Sequence, residues 1–348
     1  LAATLGALAQ SESGPVEAKS PTITGSPPPA KPAVVLVVNK GYVRVFENFI
    51  LAPGAATMLR DWDVHLLCTD HAVGPIIEAK TGGAWRCRVE QAVGKGAAET
   101  YNARMPYAHS LVRGGRDVLI SDLDALWLRD PLKHLRAIDA GIVASRATYP
   151  LSTYFKWGAS VCMGFVFLRG SDPRVRSAVD VLVTEPVHDD QGEFNQHLLR
   201  QVVQWDEGRL SRKSTSTSYG TLMAQNGTYR GLRIAMLADD KFQRACRKES
   251  VSKAIVAHCL ALQEQGSKEQ VLQSLGLWWL PEAKPGAKRV KASSTILASV
   301  RAALQSTSVE MERTLHSRAS RAHGTTMGPL KRSDRPTVVA KLAGKSHD

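Results

Sequence analysis

From Ala33 onward, the sequence alternates between short, continuous apolar runs and longer segments with apolar residues at helical spacing. Runs such as 33–39 (AVVLVVN) and 63–70 (DVHLLCTD) are typical of strands that are buried on both faces. Strands of this kind, each followed by a helix, predict an α/β fold with a mainly parallel central sheet and helices on both faces. Further strands are expected at 117–122, 141–146, 162–170 and 253–259, and helices at 46–61 with an interruption at Pro53-Gly54, 99–115, 172–185, 192–204 and 267–281.

Polar residues stand where several of these strands end. Asn39, Asp70 and Asp122 each follow an apolar strand. Since ligands of open α/β sheets bind at the carboxyl ends of the strands, the sequence predicts a binding site at this edge. Residues 205–250 carry the weakest pattern, and 211–221 (SRKSTSTSYGT) is expected to be a surface loop.

Length and charge divide the chain into three parts. Residues 32–282 carry the strand and helix pattern and are predicted to form one domain, since α/β sheets often exceed about 200 residues as a single domain. Residues 1–31 contain five prolines between Pro15 and Pro29, which is typical of an extended stalk. Residues 283–348 form a basic tail, whose thirteen Lys or Arg and four acids carry +9 of the chain's formal charge of +13.

This distribution of charge bears on partners. The domain itself keeps only +4, so we expect no nucleic-acid partner, which would need a basic face on the folded part. The tail is predicted to be a solvated, partly disordered extension; contact with an acidic polymer or a membrane surface is the alternative. Residues 294–316 within it have apolar residues at helical spacing and are expected to form one helix.

The first residues and the cysteines concern the compartment. LAATLGALAQS resembles the end of a signal region with Ala7-Leu8-Ala9 as a cleavage site, so the Golgi lumen or secretory pathway is expected; an Ala-rich disordered start is the alternative. No apolar run reaches the length of about 18 residues that a membrane span needs, and an upstream membrane anchor stays open.

The five cysteines include no C-x-x-C pair, which argues against a cysteine zinc site. They allow one or two disulfides and leave at least one free thiol. Separately, Asn226-Gly227-Thr228 is a glycosylation sequon, which matters only in a secreted chain.

The stretch VLISDLDALWLRDP, residues 118–131, places Asp122 and Asp124 one residue apart directly after a buried strand. Their charges repel and must be desolvated together, so a cation is expected between them. Mg²⁺ and Mn²⁺ favour oxygen ligands and are held by one or two carboxylates together with substrate phosphates. The alternative is a surface turn with two solvated aspartates, but an apolar segment follows and ends only at Asp130-Pro131.

This stretch resembles the nucleotide-diphospho-sugar transferases of plant and algal type, which include xylosyl-, arabinosyl- and galactosyltransferases. Those proteins carry an apolar strand, a D-x-D and then W-L-R-[ND]-P. Three more blocks follow in the family's order: CMGFVFLRG (162–170), DDQGEFNQHL (189–198) and a segment from Ala254 to Leu280 with a His and a late Leu-Trp. The resemblance implies a GT-A fold and transfer of a pentose or hexose, with retention, from a UDP-sugar to a hydroxyl of a cell-wall polysaccharide or glycoprotein.

The resemblance also implies a metal site. Asp122, Asp124 and His258 would hold Mn²⁺ or Mg²⁺, Asp122 would also contact the donor, and Lys268 would contact its diphosphate. Taken alone, His258 after the apolar AIVA reads as a core histidine, and only the D-x-D favours a ligand. Cys162-Met163 stands where the family often has an Asn that contacts a donor hydroxyl.

Other residues are implied to bind or act on the donor sugar. Asp190 and Gln191 would face the reacting sugar as catalytic residues, and Gly164 would let the backbone approach the donor. Asp190 alone reads equally as the cap of a helix beginning near Gly192, and Gln191 and Asn195 would share one helix face.

Two residues on the nucleotide side complete the expected donor site. Asn39 is placed at the nucleotide base. Arg104, on the helix before the central strand, is within reach of a phosphate, although a solvated arginine is the favoured interpretation.

Two other function classes remain open from the sequence alone. Haloacid-dehalogenase-type phosphatases also place D-x-D after an apolar strand and bind Mg²⁺. Their motif continues x-[TV] near the start of the domain, whereas Ala125-Leu126 follows here, about ninety residues into the fold. A catalytically silent carbohydrate-binding relative is the other alternative, and turnover of a UDP-sugar distinguishes the transferase from both.

Overall fold

The computed structural model describes residues 30–90, 96–184, 186, 188–201, 203–205, 224–259 and 267–281. The strands and helices of these residues all lie in the compact unit that begins at Pro32. The strands are β1 Ala33–Val38, β2 Asp63–Cys68, β3 Cys87–Val89, β4 Val118–Ser121, β5 Ala125–Trp127, β6 Ile142–Ala147, β7 Ser160–Leu168, β8 Gln204–Trp205, β9 Ala224–Tyr229, β10 Leu232–Leu237, β11 Phe242–Gln243 and β12 Val256–His258. The helices are α1 Val43–Ile50, α2 Ala55–Asp61, α3 Val73–Thr81, α4 Ala97–Arg113, α5 Leu132–Ala137, α6 Leu151–Trp157, α7 Pro173–Asp180, α8 Asp190–Arg200, α9 Lys248–Val251 and α10 Lys268–Ser274, with a 3-10 turn at Lys40–Tyr42.

The described strands form one nine-stranded sheet in the order β3-β2-β1-β4-β7-β6-β10-β9-β8. From β3 to β4 all neighbours are parallel, as the strand and helix alternation predicts. Beyond β4 the sheet is mixed, because β7 runs antiparallel to both β4 and β6 while β10 is parallel to β6. The predicted α/β fold is confirmed, with the parallel arrangement concentrated in the half that contains β1.

Both faces of this sheet are covered. Along β1, Val34 and Leu36 belong to one apolar core, and Ala33 and Val35 belong to the other. The first core is completed by side chains from α1, α2, α3, α5 and α10, and the second by α4, α6, α7 and α8. Because successive strand residues point to opposite faces, a continuous apolar run is what a sheet between two helical layers requires.

A second, three-stranded sheet has the order β11-β12-β5. Strand β12 is antiparallel to β5, and His258 lies opposite Ala125 in the register. This pairing joins a late segment of the chain to the residue that directly follows the D-x-D. The small sheet therefore places a histidine at the end of β4.

The interruption predicted at Pro53-Gly54 is real, since the first helical region is divided into α1 and α2. The Gly54 N–H donates to the carbonyl oxygen of Trp127 at 2.8 Å. A Cβ at Gly54 would lie 2.7 Å from that oxygen and 2.8 Å from the Arg129 carbonyl. A residue without a side chain is needed there because the backbone after β5 passes against it.

The segment 205–250, in which the sequence pattern is weakest, contains regular structure. Strands β9 and β10 form a hairpin whose two loop residues, Arg230 and Gly231, have φ of 46° and 76°. Positive φ at both positions is typical of a type I′ turn, which usually carries Asn-Gly, so an Arg-Gly turn gives a weak sequence signal. Strand β11 and helix α9 follow.

Several other sequence predictions can be placed. Two disulfides join Cys68 to Cys87 and Cys246 to Cys259, and Cys162 is a free, buried thiol, within the range that the cysteine count allows. The predicted loop at 211–221, the tail helix at 294–316 and residues 1–29 lie outside the described residues. Among the helices that are described, none combines the length and apolar character required to cross a membrane.

Candidate active site

The D-x-D lies in a tight turn between β4 and β5. The Asp122 N–H donates to the Gly164 carbonyl at 2.8 Å, and the Ala125 N–H donates back to the Asp122 carbonyl at 3.0 Å. Leu123, only 2% exposed, points into the core, and the Trp127 indole N–H donates to Ser121 Oγ at 3.2 Å. This turn fixes the two carboxylates on the same side of the chain, so they do not form a free surface loop.

His258 completes a group of three ligand-type side chains. Its Nε2 lies 3.3 Å from Asp124 Oδ1 and 3.5 Å from Asp122 Oδ2. One ligand atom from each of the three residues lies within 4.8 Å of the other two. The structure thus brings together the residues that the resemblance implies as metal ligands, and their binding of a metal remains a prediction.

Gly164 on β7 forms the floor of this group. A Cβ there would collide with Asp122 Oδ2 and His258 Cε1. The glycine is therefore needed for the close approach of Asp122 and His258, whatever its relation to the donor sugar.

Lys268, the first residue of α10, contacts the same carboxylate from another direction. Its Nζ lies 2.7 Å from Asp124 Oδ2 and donates to the Cys259 carbonyl at 2.6 Å. Burial alone would raise the pKa of Asp124, but the charges and hydrogen bonds of His258 and Lys268 hold it well below its usual range. Asp124 is therefore an ionised carboxylate with two cationic neighbours.

The pKa of His258 responds to the same neighbours. Burial and the nearby Arg244 lower it, but Asp124 and Cys162 raise it, and the net effect is a pKa of about 8. Cys162 Sγ lies 3.7 Å from Nδ1, so the other ring nitrogen, Nε2, faces the aspartates. His258 is a core-buried histidine and also faces Asp122 and Asp124, so the two sequence interpretations are compatible.

The donor set fits a divalent cation. Two carboxylates and one imidazole offer two hard oxygen ligands and one nitrogen ligand, a combination suited to Mn²⁺ and, with fewer protein ligands, to Mg²⁺. The glycine floor leaves no side chain between the three groups. Asp122, Asp124 and His258 are the residues that would hold the ion.

One sequence prediction, that Arg104 is solvated, is wrong. The sequence favours a solvated arginine, but Arg104 is only 3% exposed. Its Nε and Nη2 contact Asp190 Oδ2 at 2.8 and 2.7 Å, and its Nη1 donates to Asp122 Oδ1. Burial of this long side chain is explained by the two carboxylates that it bridges, and these lie far apart in sequence, on α8 and after β4.

Asp190 also differs from one of its sequence interpretations. It does not cap a helix beginning near Gly192, because α8 begins at Asp190 itself and the N-cap residue is Asp189. Burial raises the pKa of Asp190 more than Arg104 lowers it. One of its oxygens, Oδ1, is buried and has no hydrogen-bond partner among the described residues.

Gln191 and Asn195 do lie on one face of α8, as predicted. Gln191 Oε1 accepts from the Met163 N–H at 3.2 Å, and its Nε2 donates to the Tyr149 carbonyl at 2.7 Å. Asn195 pairs with both the N–H and the carbonyl of Val161 at 2.8 Å. Both side chains fasten the start of α8 to β7, so they hold Asp190 in place.

Asn39 stands at the carboxyl end of β1 but has no direct contact with the carboxylates among the bonds described. Its Oδ1 accepts from the Tyr42 N–H at 3.0 Å and so caps the 3-10 turn. Burial, then Asp124 and Asp122, raise the pKa of the Tyr42 phenol to about 12, so this ring lies near the D-x-D.

Sequence reasoning missed four residues of the site: Tyr42, Tyr101, Cys162 as a contact of His258, and Arg244. Tyr101 lies one turn before Arg104 on α4, and the guanidinium carbon is 5.1 Å from the centre of its ring, so helical spacing was an available signal. Tyr42 follows Asn39 by three residues. Arg244 comes from the segment after β11, for which the sequence carries no readable pattern.

Comparison with known families places the chain among the glycosyltransferases of the nucleotide-sugar type. The family model of the nucleotide-diphospho-sugar transferases matches residues 89–272, just over half of the chain. The chain therefore belongs to the nucleotide-diphospho-sugar transferase family, and the family predicted from the sequence is confirmed. The match includes the D-x-D, Asp190, His258 and Lys268, and the phosphatase alternative loses its support.

Solved structures with some likeness include other glycosyltransferases. Glycosyltransferase GlyE of Streptococcus pneumoniae is 16% identical over 49% of this chain, which spans 43% of GlyE, with a TM-score of 0.30. Mouse xyloside xylosyltransferase 1 is 11% identical over 48% of this chain and 81% of its own, with a TM-score of 0.31. Mannosyltransferase PcManGT of Pyrobaculum calidifontis, solved with GDP-Man and Mn²⁺, is 14% identical over 87% of this chain and 84% of its own, with a TM-score of 0.32. At TM-scores this low, the likenesses support no conclusion about the activity of this chain, and no curated protein matches it.

Proposed function

We propose that this protein transfers a pentose or hexose from a UDP-sugar to a hydroxyl acceptor, with retention, using Mn²⁺ or Mg²⁺ bound by Asp122, Asp124 and His258. The acceptor proposed is a cell-wall polysaccharide or a glycoprotein. The observation that carries the proposal is the convergence of two carboxylates and an imidazole beside Lys268 and Arg104 at the end of β4, in a chain of this family. A structural turn would not need three ionisable ligands together with a buried arginine and a half-buried lysine at one point.

The bound ion would supply Lewis-acid neutralisation of the diphosphate as the bond to the sugar breaks. The chain's part is to keep Asp124 ionised, to place Asp122 beside it, and to present His258 through Nε2. A bound cation would neutralise the charge of Asp124. The Lys268 ammonium, which contacts Asp124 at 2.7 Å, would then be free to donate to a phosphate oxygen, as the resemblance implies. Preorganised charges of this kind stabilise the departing UDP.

Asp190 is the proposed catalytic carboxylate. Arg104 holds its Oδ2, and its buried Oδ1 has no hydrogen-bond partner among the described residues. Two routes give retention. In the first, Asp190 bonds to the anomeric carbon as UDP leaves and is then displaced by the acceptor oxygen, whose proton passes to a phosphate oxygen of UDP. In the second, the acceptor oxygen attacks from the leaving-group side and passes its proton to a donor phosphate oxygen. Gln191 contributes by fixing the start of α8 against Met163 and Tyr149.

The compartment proposed is the Golgi lumen or another part of the secretory pathway. Two disulfides support it, since such bonds persist in oxidising compartments and are rare in the cytosol.

UDP release from a panel of UDP-sugars with Mn²⁺ tests the proposal. Wild-type protein should hydrolyse or transfer from one donor, and Asp124→Ala or a metal chelator should abolish this turnover. If the wild type neither turns over any UDP-sugar nor binds UDP in a Mn²⁺-dependent way, the proposed function is wrong. Binding of UDP without turnover would instead identify a catalytically silent relative.

A further inference from the structure

Arg244 lies between β11 and α9, in the loop that the small sheet brings under His258. Its Nη1 is 3.5 Å from the His258 carbonyl oxygen, and its backbone N–H donates to Asp239 Oδ1 at 3.1 Å. Its Nε is buried and has no hydrogen-bond partner among the described residues. Arg244 is half-buried, and a guanidinium whose buried Nε lacks a partner is costly, so this arginine requires an explanation.

The other cations of the site are already paired. Arg104 bridges Asp190 and Asp122. Lys268 contacts Asp124. No carboxylate of the described residues forms an ion pair with Arg244 within 4 Å, although those beside His258 act on it from further away.

The Arg244 side chain lies at the edge of the group formed by Asp122, Asp124 and His258. Its Nη1 is next to the carbonyl of His258, the residue whose Nε2 is 3.3 Å from Asp124 and 3.5 Å from Asp122. Both aspartates act on the guanidinium from beyond ion-pair distance. Arg244 therefore adds positive charge beside the D-x-D group and has no carboxylate partner of its own among the described residues.

We propose that Arg244 is an anion-binding residue of the donor site and that its guanidinium receives an anionic oxygen of the nucleotide sugar. This inference rests on the proposed function, which supplies a donor of that class. The anion has two sources in such donors: the diphosphate, or the carboxylate of a uronic-acid sugar. Arginine suits either, because its planar fork of N–H groups pairs with phosphate and carboxylate oxygens.

The test is Mn²⁺-dependent binding of UDP, UDP-xylose and UDP-glucuronic acid by isothermal titration calorimetry. It compares wild type with Arg244→Gln and Arg244→Lys. The matched control is Arg129→Gln, which removes the same charge from a guanidinium whose hydrogen bonds, within the described part of the chain, go to the carbonyls of Ser252, Lys253 and Ala254. Thermal unfolding and Mn²⁺ affinity without nucleotide check that each variant is folded.

If Arg244 binds the diphosphate, Arg244→Gln should weaken all three ligands about 10- to 100-fold, as expected for a charge-assisted hydrogen bond. If it binds a sugar carboxylate, only UDP-glucuronic acid should lose affinity. In both cases Arg244→Lys should recover part of the loss, because the charge is kept and the fork is removed. These two patterns support the inference and identify the source of the anion.

Equal affinities in wild type and Arg244→Gln for all three ligands would overturn the inference and leave the proposed function standing. An equal loss in Arg129→Gln would also overturn it, since the effect would then be one of net charge. If wild-type protein binds none of the three ligands, the proposed function fails, and this inference fails with it.

Discussion

Two carboxylates of the site, Asp124 and Asp190, are both buried and both bonded to cations, yet their pKa values shift in opposite directions. Asp124 has two cationic neighbours, Lys268 at 2.7 Å and His258 at 3.3 Å. Asp190 has one guanidinium, which it shares with Asp122. Burial raises the pKa of both, and Asp122 and Asp189 raise that of Asp190 further, so the balance of cations and carboxylates around each group decides the sign.

The difference separates two regions with two tasks. The Asp124 centre, consisting of Asp124, His258 and Lys268, holds negative charge ready for a cation. The Asp190 centre, consisting of Asp190 and Arg104, keeps a carboxylate of raised proton affinity with one oxygen unpartnered among the described residues. Asp122 contacts both centres, so it couples the proposed metal ligands to the proposed catalytic carboxylate.

The largest effect is expected at the Asp124 centre. Asp124→Asn should lower turnover of the donor by about 10³-fold or more, because the ion and its neutralisation of the diphosphate are lost together. Steady-state UDP release with saturating Mn²⁺ measures this. Turnover within tenfold of wild type would show that the ion is held elsewhere.

Removing the cation of the Asp190 centre should act mainly on stability. Arg104→Met leaves Asp190 buried and uncompensated, and breaking a buried ion pair lowers the free energy of unfolding by about 3–5 kcal/mol. Urea denaturation measures the loss. The double variant Arg104→Met/Asp190→Asn should be more stable than Arg104→Met alone, since it removes both charges, and failure of that recovery would contradict the pairing.

The two disulfides distinguish the centres in another way. Their cysteines are 19 and 13 positions apart in sequence, so replacing either pair with alanines should lower the free energy of unfolding by about 3 kcal/mol. Among the hydrogen bonds of the described residues, Cys259 is the disulfide cysteine that contacts a site residue, because its carbonyl accepts from Lys268. We expect Cys246→Ala/Cys259→Ala to weaken Mn²⁺-dependent UDP binding about tenfold as well. Equal affinities in this variant and Cys68→Ala/Cys87→Ala would show that the Cys246–Cys259 bond does not support the Asp124 centre.

The smallest effect is a pH dependence of metal binding. His258 has a pKa of about 8, because Asp124 and Cys162 outweigh the lowering by burial and Arg244. A proton on the ring competes with the metal, so Mn²⁺ affinity should be constant above that pH and fall by up to about tenfold per unit below it. Titrations between pH 6 and 9 measure the slope, and His258→Ala should lose it. An unchanged slope in His258→Ala would assign the proton to another group.

The sequence predicted the parts of this arrangement that depend on local pattern. The apolar run of β1 indicates a strand buried on both faces, and the Pro53-Gly54 break lies where the backbone after β5 passes against Gly54. The resemblance extended this to His258 by relating a late block to the D-x-D. The pairing of β12 with β5 then explains physically why those blocks meet.

The electrostatic partners could not be predicted in the same way. From the sequence alone, Arg104 resembles a solvated helical arginine. Its two partners, Asp190 on α8 and Asp122 in the turn after β4, are distant in sequence and meet it only in the fold. In the sequence, Asp190 resembles a helix cap because it stands near the start of a helix. Its partner Arg104 is 86 positions away, so local pattern could not reveal their contact. Arg244 lies in a segment with short strands and an atypical hairpin turn, where local pattern carries little information.

The most direct test of the central claim is a titration of Mn²⁺ followed by its electron paramagnetic resonance signal, with and without UDP. Wild-type protein should remove the free Mn²⁺ signal, and UDP should tighten that binding, since the ion would join Asp122, Asp124 and His258 to the diphosphate. Asp124→Asn should leave the signal of free Mn²⁺ largely unchanged. A wild-type protein that leaves free Mn²⁺ unbound even with UDP would contradict the claim that this site is a metal centre for a nucleotide sugar.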